Sequence, residues 1–268
     1  MKLQPQTHAG DFGRIGYFHL PGEGTPLLMY HAAGAGNASL LRLAGMFNAK
    51  TGRPAYTISL DGYPGTEISV GDDAFERHKT AFRTMLDFAG EPVDIFGHSL
   101  GAFTSLNVAK EQDPRILSVT VVEPVALQTL REHAEDAEAL ALDDNAVGKI
   151  APAMEDGRPE DAVREFISLW NGQPWDTIPE AARQTILGFA PAIWRDTNAI
   201  RYAGGFADDY RKIACPVHLI GTDQSPITAG AIISRLHSVN PDWRVSLVEG
   251  AGHMGPIEKP DLFAPLIG

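Results

Sequence analysis

The stretch Val93-Asp94-Ile95-Phe96-Gly97-His98-Ser99-Leu100-Gly101-Ala102-Phe103 decides how the rest of the chain is read. VDIF is a short apolar run of strand type, and from Leu100 onward the spacing turns helical. Between them lies Gly97-His98-Ser99-Leu100-Gly101, a GxSxG pattern in the strand, turn, helix context that gives it a mechanism. A sharp turn there lifts the serine hydroxyl above the sheet and forces the serine into a strained backbone, while the flanking glycines let strand and helix approach. The pentapeptide alone arises by chance roughly 0.1 times in a chain of this composition, so the context carries the reading. The plainer alternative is an N-capping serine on an ordinary crossover helix.

Working outward, further strand-like runs recur: RIGYFHL from Arg14, LLMY from Leu27, AYTIS from Ala55, VTVV from Val119, VHLIG from Val217 and VSLV from Val245. Helical spacing separates most of them, at 38–50, 73–88, 100–111 and 229–238. Continuous apolar strands alternating with helices predict an α/β fold whose mostly parallel central sheet is flanked by helices on both faces. One interval breaks the rhythm. Between VTVV and VHLIG lie about 90 residues rich in helix formers, too many for a crossover, which read as an inserted helical unit. The expected division is a core of 1–124 and 211–268 with a helical cap of 125–210.

Two glycine-rich loops are natural companions for Ser99. Gly250-Ala251-Gly252-His253-Met254 follows the last strand, placing a histidine at a strand's C-terminal end, where parallel sheets build their sites. Imidazole is the expected general base because its ordinary pKa, about 6.5, lets it take and return a proton near neutral pH. His31-Ala32-Ala33-Gly34-Ala35-Gly36 follows LLMY, and its small residues free backbone N–H groups to face an anion. The N–H groups of Leu100 and Ala33 are the candidate oxyanion hole, and His31 is expected to tether its own loop.

GHSLG, HAAGAG, the DGYPG turn at 61–65 and the terminal GAGHMGPIEKP together resemble the α/β-hydrolase fold superfamily, serine hydrolases with a GxSxG nucleophile elbow. The similarity runs over nearly the whole chain and implies that fold, with the cap inserted after its sixth strand. It also implies a catalytic triad in the order Ser99, acid, His253. Two departures stand out. Where the family has His-Gly, this chain has His31-Ala32, and the added β-carbon narrows the backbone choices. Where relatives most often carry the acid, after their seventh strand, Gly221-Thr222-Asp223-Gln224-Ser225-Pro226-Ile227 puts Ser225 at the position and Asp223 two residues early. The preceding strand ends in Val121-Val122-Glu123-Pro124, one strand over, and neighbouring strands lie only about 4.8 Å apart. Some members of the superfamily carry the acid there. Glu123 is therefore the expected triad acid and Asp223 the runner-up, while Asp61 reads as part of a structural turn.

Composition excludes other classes. Thirty-four acids against 22 bases give a net charge of −12, the wrong sign for a nucleic-acid binder. The chain holds one cysteine, Cys215, so no intramolecular disulfide forms, and the nine histidines show no zinc-binding spacing. No apolar run is long enough for a membrane span and the N-terminus lacks signal-peptide character, so a cytoplasmic protein is expected. No cofactor or metal is expected. Three of the four tryptophans, Trp170, Trp175 and Trp194, fall in the cap with several other aromatics, which suits either the cap's own core or a lid for a small substrate with an apolar portion. The resulting expectation is a cofactor-free serine hydrolase cleaving a carboxylic ester or related small acyl compound. The same triad also serves carbon–carbon bond hydrolases, acyltransferases and lyases, and the fold also suits a receptor-like small-ligand binding protein with vestigial turnover. Substrate and oligomeric state are not legible.

Overall fold

A computed structural model describes residues 3–268. Nine strands form one sheet: β1 (Gln6–Gly10), β2 (Gly13–Leu20), β3 (Leu27–Tyr30), β4 (Ala55–Ile58), β5 (Glu67–Ile68), β6 (Val93–His98), β7 (Ile116–Val122), β8 (Val217–Thr222) and β9 (Arg244–Val248). Their order is β1-β2-β4-β3-β6-β7-β8-β9, with the two-residue β5 on β2. From β4 to β9 all pairings are parallel, and β1, β2 and β5 form the antiparallel edge. The seven strands read from the sequence are all present. The two that were not, β1 and β5, are short, and four of the five β1 residues are exposed, so neither has the apolar run by which a strand announces itself.

The central strands β3 and β6 are buried along almost their whole length, as strands covered on both faces must be. Helices α1 (Leu41–Thr51), α2 (Ala74–Ala89), α3 (Leu100–Ala109) and α9 (Ile227–Val239) supply the cover. All ten residues of α3 are buried, because it packs on β6, β7 and β3 of the sheet and against α2. The expected start of α1 at Ala38 is instead a 3-10 turn over Asn37–Leu40.

Between β7 and β8 the chain forms α4 (Ala137–Val147), α5 (Ile150–Glu155), α6 (Pro159–Asn171), α7 (Glu180–Gly188) and α8 (Ala190–Ile200). These helices share a small core of their own that includes Ile150, Val163, Trp175 and Ile193. Among the described residues no helix is long and apolar enough to cross a membrane. The loops that matter below leave the sheet at the C-terminal ends of β3, β4, β6, β7, β8 and β9, on one side of it.

Candidate active site

Ser99 joins β6 to α3 with φ 54° and ψ −111°, a region that L residues avoid at a cost of about 1–3 kcal/mol. The glycines of GxSxG make that turn possible. A β-carbon on Gly97 would lie 2.6 Å from Ala102 Cα, and one on Gly101 would lie 2.3 Å from the carbonyl oxygen of Tyr30. Backbone hydrogen bonds from Ser99 N–H to Val122 O and from Gly101 N–H to His31 O then fasten the turn to its neighbours, both at 3.0 Å.

Glu123 follows β7 and also has positive φ, 45°; among the described residues only Ser99, Gln112 and Glu123 do so without being glycine. Its carboxylate is buried and accepts four hydrogen bonds. Oε1 takes Thr222 N–H at 2.8 Å and Thr222 Oγ1 at 2.6 Å, and Oε2 takes Ser225 Oγ at 2.8 Å and His253 Nδ1–H at 2.7 Å. Burial pushes the Glu123 carboxyl up, but the bonds and charge from His253 and the bonds from Thr222 and Ser225 outweigh it and hold the group below its ordinary value. Glu123 is therefore an anion poised against His253. Asp223, the runner-up, does not reach the imidazole: it is exposed, and its Oδ1 accepts Gly250 N–H at 2.8 Å and Ala251 N–H at 3.3 Å. Its position, two residues early, puts it beside the histidine loop's backbone.

That loop is more firmly held than its glycines suggest. Besides the Asp223 clip, Gln224 N–H donates to Ala251 O at 3.1 Å and Lys259 Nζ donates to Gly250 O. His98, the variable residue before Ser99, donates from Nε2 to the His253 carbonyl oxygen at 2.8 Å. Burial and the neighbouring His253 lower the His98 pKa to about 3, so its ring is neutral. The Trp170 ring of α6 packs on the imidazole, with centroids 4.5 Å apart. With Nδ1 bonded to Glu123, the ring nitrogen left for Ser99 is Nε2. No direct Ser99–His253 hydrogen bond forms among the described residues, and such bonds commonly tighten only when substrate is present.

The loop after β3 is tethered from both sides. His31 Nδ1–H donates to Ala32 O at 2.8 Å and Nε2 accepts Leu60 N–H at 3.0 Å, which fixes the tautomer. Burial lowers its pKa to about 4. Ala32 does not have positive φ, so the alanine that replaces the family's glycine is accommodated without strain. Gly34, at φ 72°, donates its N–H to Tyr63 Oη at 3.0 Å, and Tyr63 in turn donates to Asp196 Oδ2 on α8 at 2.9 Å. Asp196 Oδ1 receives His78 Nε2–H at 3.0 Å and Arg195 Nε–H at 3.0 Å. Burial raises the Asp196 carboxyl, but His78 and Arg195 more than reverse this. Neither Ala33 N–H nor Leu100 N–H donates a turn or cap hydrogen bond among the described residues, so both stay available at the cavity over Ser99.

That cavity, of about 20 Å³, is bounded by Ser99, Leu100 and Ala33 below and by Phe166, Trp170 and Ile200 of the inserted helices above. Of the cap aromatics, Phe166 and Trp170 line it. Trp175 belongs to the helices' own core, and Tyr202 is 66% exposed. Asp61 accepts Ile68 N–H at 2.8 Å and serves its turn. Sequence reasoning missed Thr222, His98, Tyr63, Asp143 and Asp196. Only His98 had a local signal, its place inside GxSxG. Among the described residues no group of three or more His, Cys, Asp or Glu side chains is arranged to hold a metal ion.

The comparisons with known proteins bear on the fold and the family. Solved structures of similar shape include an alpha/beta hydrolase from Sphaerobacter thermophilus (TM-score 0.75, 19% identity, 97% of this chain and 98% of that one). A bromoperoxidase from Bacillus anthracis matches with TM-score 0.75 at 17% identity over 98% of each chain. Naproxen esterase from Bacillus subtilis matches with TM-score 0.69 at 15% identity over 99% of this chain and 90% of its own. At such identities the likeness is one of fold. No curated protein matches significantly in sequence. The sequence profile of the alpha/beta hydrolase family matches residues 21–266, and the chain belongs to that family.

Proposed function

We propose that this chain is a serine hydrolase that cleaves a carboxylic ester or a related small acyl compound through an acyl-enzyme on Ser99. The observation that carries the reading is the 2.7 Å bond between His253 Nδ1 and the buried Glu123, with Ser99 and Glu123 both at positive φ. A strained serine at a helix start and an ionised carboxylate held on a histidine by three further donors are costly to maintain for packing alone.

In this reading Ser99 Oγ attacks the acyl carbon while His253 Nε2 takes its proton. Glu123 keeps the proton on Nδ1 and stabilises the imidazolium. The N–H groups of Leu100 and Ala33 hold the oxyanion, and His253 returns the proton to the departing alcohol. Water, activated by the same imidazole, then releases the acid and restores Ser99. All these groups come from residues 1–124 and 211–268, the core, while residues 125–210 act as the cap that shapes the space for the substrate. The apolar lining from Phe166, Trp170 and Ile200 favours a substrate with an apolar portion.

The experiment is turnover of a panel of esters varied in acyl and alcohol length, with a carbon–carbon bond substrate as contrast. Ester hydrolysis that falls by on the order of 10⁶-fold in Ser99→Ala supports the reading. Retention of more than about a tenth of the rate by that variant, free of contaminating esterase, refutes it.

A further inference from the structure

Asp143 of α4 lines the cavity over Ser99 and is 2% exposed. Its Oδ1 accepts Trp170 Nε1–H at 3.1 Å, the same indole that packs on His253. Its Oδ2 is fully buried and has no hydrogen-bond partner. Buried carboxylate oxygens without a donor are rare because nothing replaces the water they lose.

Apart from Ser99 Oγ and the N–H groups of Ala33 and Leu100, the other polar groups lining the cavity are already committed. Both oxygens of Asp196 are bonded to Tyr63, His78 and Arg195, and Thr197 Oγ1 donates to Ile193 O at 2.8 Å. Among the described residues, Asp143 thus carries the one charged oxygen of a lining side chain that has no partner. Burial raises the Asp143 carboxyl to about 6, with Trp170 opposing it, Asp144 adding to it, and Arg201 and Arg131 opposing it. At neutral pH the group is mostly a carboxylate, which accepts hydrogen bonds and donates none.

The charge nearby decides what donor fits. Asp144 binds both Arg131, at 3.2 Å, and Arg201, at 2.8 Å. Two guanidiniums against Asp143 and Asp144 leave the cluster neutral, so a substrate ammonium would find no excess negative charge to offset its desolvation. An uncharged donor carries no such penalty.

We propose that Asp143 is a specificity-determining residue whose Oδ2 accepts a hydrogen bond from an uncharged hydroxyl or amide donor on the substrate, close to the scissile acyl group. This rests on the hydrolase reading of Ser99. It makes the natural substrate an ester or related acyl compound with an apolar body and one such donor, rather than a plain alkyl ester.

The test uses the full chain and p-nitrophenyl esters in pairs, an ω-hydroxyalkanoyl ester against the one with methyl in place of the hydroxyl, across increasing chain length. At the length that reaches Oδ2, the wild type should prefer the hydroxylated partner by about tenfold or more in kcat/KM. Asp143→Leu should erase or invert that preference, its loss in kcat/KM on the hydroxylated partner exceeding any on the methyl partner by about tenfold or more. Asp143→Asn keeps an oxygen for Trp170 Nε1–H and places an NH2 at the Oδ2 position, from which the substrate hydroxyl can accept, so it should retain part of the preference. A wild-type preference below about twofold at every length overturns the proposal. So does a loss in Asp143→Leu that is equal for both partners, which is what a merely structural role would produce. The wild-type comparison needs no variant to fold. If no ester turns over but a fluorophosphonate still labels Ser99, protection from labelling by paired diols and alkanols reads the same preference, and equal protection overturns it. Absence of both turnover and labelling is the separate failure of the hydrolase reading.

Discussion

Ser225 Oγ donates to Glu123 Oε2 at 2.8 Å, so the residue at the position from which the resemblance would draw the acid serves the carboxylate proposed for that role instead. The exchange works because β7 and β8 are neighbours: Glu123 N–H bonds Ile220 O at 3.0 Å, which brings the end of β7 level with the Thr222–Ser225 turn. A glutamate from β7 thereby reaches the imidazole, and a hydroxyl on the next strand's loop satisfies one of its lone pairs.

The acid is the first assignment to test. Glu123→Gln should keep the fold but leave His253 in the wrong tautomer, lowering kcat by about 10³ to 10⁴, whereas Asp223→Asn should cost about tenfold or less through a looser histidine loop. Steady-state kinetics of the two variants separate the assignments, and the opposite ranking would make Asp223 the acid.

Tyr63 links the loop after β3 to α8. Tyr63→Phe leaves Gly34 N–H and Asp196 Oδ2 without their partner, both in buried surroundings. Stability should drop by about 1–3 kcal/mol. Because Gly34 adjoins Ala33, kcat should fall while KM changes little. A variant with wild-type kcat and stability would show that the link has no part in holding the loop.

How much of this was legible follows from how local each signal is. GHSLG shows itself because strand, turn, glycines and serine are contiguous, and the seven main strands show themselves as unbroken apolar runs. Glu123 was readable only through adjacency of strand ends, an argument from sheet geometry. His98's bond to the His253 carbonyl, Tyr63's to Asp196 and Trp170's to Asp143 join residues 155, 133 and 27 positions apart, and no periodicity encodes such pairings. Asp143 is a case in point. In the sequence it is one of ten acids between Arg131 and Asp161 and reads as part of a solvated face, yet it is buried beside the indole that covers His253.

Acid should destabilise the fold through its buried histidines. Burial lowers His31 to about 4 and His98 to about 3, against about 6.5 in an unfolded chain. Below about pH 6.5 the unfolded state therefore binds protons that the folded imidazoles refuse. The stability this involves is intact above that pH and is lost as pH falls toward 4. Asp143, raised to about 6, is protonated first in the folded state and offsets one of the two protons. Unfolding should then take up about one net proton between about pH 6 and 4.5, so urea titrations should show stability falling by about 1.4 kcal/mol per pH unit. A flat or rising profile in that window would mean that the histidines are not held neutral.

The central claim is that Ser99 is a nucleophile worked by His253, and the most direct measurement is mass spectrometry of the chain after reaction with a fluorophosphonate. The expected result is one adduct, on the peptide containing Ser99, absent from Ser99→Ala and slowed by on the order of 10³-fold or more in His253→Ala. A chain that hydrolyses esters yet carries no adduct on Ser99, or labels as fast without His253 as with it, would contradict the account.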